Sequence, residues 1–107
     1  MIYADFLVLS DGRLAGFSLS GHAEAGEPGE DIVCAAVSSA AYLIANTITE
    51  ILHVPAEISE DDGEMRLRIC EEKYLSPCRD CLAGFRLHMT CLEEQYPDNI
   101  SVHYLEV

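Results

Sequence analysis

Apolar residues crowd positions 2–9, where Ile2, Tyr3, Phe6, Leu7, Val8 and Leu9 predict a strand. Ser10-Asp11-Gly12-Arg13 follows as a turn, because Gly12 takes the positive φ that a tight hairpin requires. Leu14 to Ser20 then reads as the returning strand. Residues 21–30 break the pattern with Gly26, Pro28 and Gly29 among Glu24, Glu27 and Glu30. Such a stretch buries little and predicts an exposed loop that orders over a ligand. Asp31 is placed as the N-cap of a helix running to about Leu52. Val33, Val37, Ala40, Ile44, Ile48 and Ile51 recur there at helical spacing. Glu50 is the only charge between Ile32 and Leu52. The helix is therefore expected to bury a second side, holding Ala41 and Thr47, against another helix or another subunit.

Two short strands, 55–59 and 64–69, predict a second hairpin closed by Glu60-Asp61-Asp62-Gly63. Ser76-Pro77 predicts a helix start with Ser76 as cap and Pro77 at the first helical position. Cys78, Cys81, Leu82, Phe85, Met89, Leu92 and Tyr96 form its apolar face, and Pro97 ends it. Arg79, Asp80, Arg86, Glu93 and Glu94 mark the wet side, and a last strand runs from Ile100 to Glu106. The order ββαββαβ predicts an α+β fold: two layers, with two helices packed on a mostly antiparallel or mixed sheet. The length of 107 residues fits one domain, 1–107.

An apolar share of 50% excludes disorder. The formal charge is −13, from 19 acids against 6 Lys and Arg, so direct nucleic-acid binding is not expected and a basic partner is favoured. The apolar run Ile32 to Ile48 contains Ser38, Ser39, Asn46 and Thr47 and has acidic flanks, which reads as a buried helix rather than a membrane span. Met1-Ile2-Tyr3-Ala4-Asp5 has no basic start typical of a secretory signal, and the cysteine count is five, an odd number. Reduced thiols in a cytoplasm are the expectation.

Two side chains can carry chemistry. His22 precedes the glycine-containing loop, and Cys34 follows it at the start of the long helix. Helix N-terminal amides and the macrodipole favour a negative sulfur there, and those amides, including that of Cys34, could receive an oxyanion. His22 could act as general base toward Cys34 and then protonate a leaving amine. The nearby acids oppose a thiolate but favour a protonated His22. The residues alone equally allow a buried structural cysteine beside a polar loop histidine. Cys78 and Cys81 form C-x-x-C, but Cys70 and Cys91 stand isolated, so no metal site and no cofactor are expected. His53, His88 and His103 read as structural or surface residues.

Gly21-His22-Ala23, the glycine-containing loop, and Asp31-Ile32-Val33-Cys34-Ala35-Ala36-Val37-Ser38 together resemble the ribosomal-processing cysteine protease family, Prp. The resemblance implies that His22 and Cys34 are the catalytic pair. It gives Asp31 and Gly21 supporting positions and makes Gly26, Pro28 and Gly29 part of a substrate loop. It further implies a cytoplasmic homodimer that acts in ribosome assembly. Its substrate would be the precursor of the twenty-seventh large-subunit ribosomal protein, cut after an aromatic residue to remove a short N-terminal extension. Ala25 stands where that pattern leads to a larger residue, which bears on substrate fit. Two other functions share these residues: a non-catalytic acidic dimer that shields a basic ribosomal protein, and a different thiol enzyme such as an acyl transferase. Reactivity of Cys34 separates the first of these from a protease.

Overall fold

Two hairpins supply four of the five strands. A computed structural model describes residues 1–21 and 30–107, without the side chains of Glu30 and Asp31. Strands β1 (Ile2–Val8) and β2 (Leu14–Gly21) pair antiparallel, with Ala4 opposite Leu19 and Phe6 opposite Phe17. The turn between them closes as expected: Gly12 has φ 90°, and the Gly12 amide donates to the Leu9 carbonyl at 2.9 Å. Strands β3 (Glu57–Asp61) and β4 (Glu64–Arg68) form the second hairpin. Its turn is only Asp62-Gly63, so β3 starts two residues later than Pro55 and takes in Glu60 and Asp61. Pro55 has no amide to give a ladder, which agrees with the later start. Strand β5 (Ile100–Glu106) lies parallel to β1 at the far edge. The strand order is β3-β4-β2-β1-β5, a mixed sheet that is antiparallel except for β1 and β5.

Helices α1 (Glu30–Asn46) and α2 (Leu75–Gln95) pack on this sheet, giving the expected two-layer α+β fold. Phe85 of α2 sits edge-on to both Phe6 and Phe17, with ring centroids 5.6 and 4.8 Å away. Leu75, Cys78, Leu82 and Met89 complete the buried stripe of α2, and the α1 stripe is Val33, Val37, Ala41 and Ala45, continued by Ile48 just beyond the helix. Glu93, expected on the wet side, accepts a 2.7 Å hydrogen bond from the Val102 amide and so ties α2 to β5.

The helix ends differ from the sequence expectation. α1 already includes Glu30, so Asp31 lies inside the first turn instead of capping it. A carboxylate in that turn is still favoured by the dipole. At the other end α1 stops at Asn46 and widens into a π-helical turn, Thr47–Ile51. The hydroxyls of Thr47 and Thr49 donate to the carbonyls of Leu43 and Ala45 at 2.7 and 3.0 Å. This back-bonding competes with the regular ladder. The wider turn rotates the stripe, so Ile51 is 71% exposed instead of buried. Ala41, placed on the outer side from sequence, is fully buried. The outer side instead carries Ile32, Tyr42 and Leu43, all exposed.

A short 3₁₀ turn, Glu72–Tyr74, leads directly into α2 at Leu75. Ser76 is therefore not the cap; Tyr74 occupies that position without a side-chain hydrogen bond. Pro77 becomes the third helical residue, where its missing amide breaks no intrahelical bond.

Removing the ring at the centre of this packing should cost about 3–5 kcal/mol of stability, as is usual for Phe→Ala in a core. Urea unfolding of Phe85→Ala against wild type checks it; a midpoint unchanged by the substitution would show that the trio of rings does not hold the two layers together.

Candidate active site

Cys34 is the fifth residue of α1 and is half-buried. In the regular ladder the amide of a fifth residue takes the carbonyl four positions back, here that of Glu30. The positive end of the helix dipole lies in the turn before Cys34.

The sulfur-bearing residue opens onto a cleft of about 230 Å³. Ile2, Leu19, Val37, Ala41 and Met65 give it apolar walls, with Ser38 and Tyr42 from the next turns of α1 beside Cys34. Glu60, Asp61, Gly63 and Glu64 of the β3–β4 hairpin border it as well. Of the five cysteines, Cys34 alone lines this cleft among the described residues.

Gly21, at the end of β2, borders the same cleft. It has φ 87°, a conformation that L side chains rarely adopt, and a Cβ built on it would overlap the carbonyl oxygen of Met1. Its amide donates to the Gly63 carbonyl at 3.0 Å, which pins the end of β2 to the tip of the second hairpin. Glycine is therefore required there on two independent grounds. Among the residues singled out from sequence, the fold brings Gly21 and Cys34 to one cleft and leaves Asp31 in the turn before Cys34. His22, Gly26, Pro28 and Gly29, and the expected closing of their loop, lie outside the described residues. The hairpin border of the cleft and Tyr42 were not foreseen. Their only trace in the sequence is the acidic run Glu60-Asp61-Asp62, which reads as an ordinary turn.

The cysteine protease Prp family model matches residues 1–101. The chain belongs to the Prp family of cysteine proteases. The ribosomal processing cysteine protease Prp of Staphylococcus aureus is 29% identical over 106 residues, covering 97% of this chain and 99% of its own length. The solved structure of S. aureus Prp with a substrate peptide superposes with a TM-score of 0.86 at 28% identity, covering 98% of this chain and all of that one. The structure of S. aureus Prp with a covalently linked product peptide also gives a TM-score of 0.86, at 29% identity over 98% of this chain and 100% of that one. A Streptococcus mutans protein gives 0.83 at 30% identity, covering 100% of this chain and 96% of its own.

The other thiols of this Prp chain sit in different surroundings. Cys78 is fully buried in the core, and burial pushes its thiol up to about 11. Cys81 is half-buried and raised chiefly by burial, and its Sγ donates to the Cys78 carbonyl at 3.4 Å. The C-x-x-C pair thus packs along α2 as a piece of core. Among the described residues no group of three or more His, Cys, Asp or Glu is arranged to hold a metal ion. A neutral, buried thiol is a poor nucleophile. Iodoacetamide at neutral pH should therefore leave Cys78 unmodified in the folded protein and alkylate it only after denaturation, as peptide mass mapping would show; labelling of native Cys78 as fast as that of exposed Cys91 would contradict this packing.

Proposed function

We propose that this protease uses Cys34 as nucleophile and His22 as general base. The observation that carries the proposal is that Cys34 lines the same cleft as Gly21, the residue next to His22 in the chain. His22 takes the proton from the Cys34 Sγ, and the sulfur attacks the scissile carbonyl carbon. The tetrahedral oxyanion forms near the positive end of α1 and the loop before it. As it collapses, the C–N bond breaks and the imidazolium returns its proton to the departing amine, leaving a thioester on Cys34. Water, deprotonated by the same imidazole, then releases the acyl product. The covalently linked product peptide of the S. aureus relative agrees with a route of this kind. Asp31 supports the pair from the first turn of α1, and Gly26, Pro28 and Gly29 give the connecting loop room to receive the peptide.

The substrate in this reading is the precursor of the twenty-seventh large-subunit ribosomal protein, processed in the cytoplasm. The apolar walls of the cleft suit an apolar or aromatic side chain beside the cut, and the name of the S. aureus relative supports a ribosomal target. Cys34→Ala should abolish cleavage of the precursor, and His22→Ala should slow it by a factor on the order of 10² to 10⁴. Wild-type rates in either variant, read by product masses, would overturn the assignment of the pair, and no cleavage by the wild-type protein would return it to the acidic binding module that shields a basic partner.

The active unit is a homodimer. Leu43 on α1 and Leu87 on α2 are each 66% exposed. An apolar groove between the helices is lined by Ala36, Ala40, Ile44, Phe85 and Leu92. A two-fold partner covers such a surface with its own copy. Sedimentation at micromolar concentration should give twice the 11.8 kDa chain mass, falling to one chain mass for Leu43→Glu. A wild-type mass of one chain would contradict the dimer.

A further inference from the structure

We propose that Tyr42 reads an apolar side chain of the substrate about three to four residues away from the scissile bond. The inference rests on reading the Cys34 cleft as the peptide site. Cys34, Ser38 and Tyr42 follow one another at every fourth position of α1, and all three line the cleft. Side chains spaced in this way stand above one another on a helix, so they form one row. Val37 and Ala41, beside that row, are buried. Ala36, Ala40 and Ile44 line the groove toward α2, and Tyr42 does not. The ring is therefore a wall of the peptide cleft and lies on the other flank of α1 from the surface read as the dimer contact. Among the described residues it is also the one aromatic side chain that lines the cleft, and it is 45% exposed. It thus keeps apolar area that a ligand can cover, while Leu19 and Met65, a cross-strand pair of β2 and β4, supply the sheet side. A helix rises about 1.5 Å per residue, so Tyr42 stands about 12 Å along the axis from Cys34. An extended peptide advances about 3.3 Å per residue. A chain that presents its scissile carbonyl to the Cys34 Sγ and follows the cleft along α1 therefore meets the ring after about three to four residues. Specificity is then set at two separated points, one beside the cut and one at Tyr42.

The test uses peptides spanning the junction of the precursor extension, with each of about five positions on either side of the cut replaced in turn by Ala. In the wild type, one apolar position three or four residues from the cut should cost about tenfold in KM when truncated, the worth of one side chain laid on a ring. Tyr42→Ala should raise KM for the parent peptide by about the same factor and leave kcat in place. The two losses should not add at that one position and should add at every other, as for a pair in contact. Tyr42→Phe should keep the wild-type KM, because the ring carries the contact. Wild-type KM in Tyr42→Ala would overturn the assignment, as would losses that add at every position or merge only at the residue beside the cut. A wild-type scan with no sensitive position three or four residues away would overturn it without recourse to any variant. Sedimentation of Tyr42→Ala should match the wild type, and a lower mass would place the ring in a subunit contact and sink the proposal. Anisotropy of the same peptides, fluorescently labelled, on Cys34→Ala protein separates this inference from the cleavage reading. Tyr42-dependent discrimination there without any turnover by the wild type would sink the cleavage reading and keep the subsite. Cleavage that ignores Tyr42 would do the reverse.

Discussion

The cleft depends on a single backbone junction at Gly21. There the end of β2 passes too close to the Met1 carbonyl for any side chain, with φ at 87°, while its amide bonds to Gly63 at the tip of the second hairpin. A β-carbon would force apart β1 and β2, the two central strands of the sheet. Three parts of the chain that are distant in sequence meet here: the N-terminal strand, the exit toward His22, and the acidic hairpin. The first turns of α1 close the fourth side and present Cys34. Gly21 is thus set by the sheet and Cys34 by α1, and both line the one cleft.

The packing explains why so small a chain can hold that geometry. Phe6, Phe17 and Phe85 lock α2 to the two central strands, while α1 presses Val33, Val37 and Ala41 onto the core beside the cleft. The other side of α1 is almost uncharged and exposed in one chain, and this makes a second copy part of the functional reading. The negative charge is spread over the remaining surface.

Much of this was legible from local pattern. The Asp11-Gly12 turn, the apolar strand-forming runs of β1 and β2 and the α2 stripe from Cys78 to Met89 all follow from composition, periodicity and turn chemistry. The errors have local causes as well. Threonine back-bonding opened the π-helical turn and carried Ile51 out of the stripe, an effect that spacing rules do not contain. Ser76-Pro77 has the composition of a helix start, yet the preceding 3₁₀ turn supplied the entry two residues earlier. Cys34 stands out in the sequence because a thiol near a helix N-terminus has distinctive chemistry and a recognisable flanking run. The hairpin border was hidden because it meets Cys34 only through strand pairing, between positions about thirty apart in the chain. Gly21 was legible as part of a run, but the reason for it, contact with Met1, is visible only in three dimensions.

The central claim is that peptide cleavage passes through a covalent bond to Cys34. Rapid acid quenching of the protein during turnover of a precursor peptide, followed by intact mass and peptide mapping, examines that bond directly. The account predicts a mass increase equal to the acyl half of the substrate, located on Cys34 and absent from Cys70, Cys78, Cys81 and Cys91. Cleavage that proceeds with no adduct at any time point, or with the acyl group on another cysteine, would contradict it.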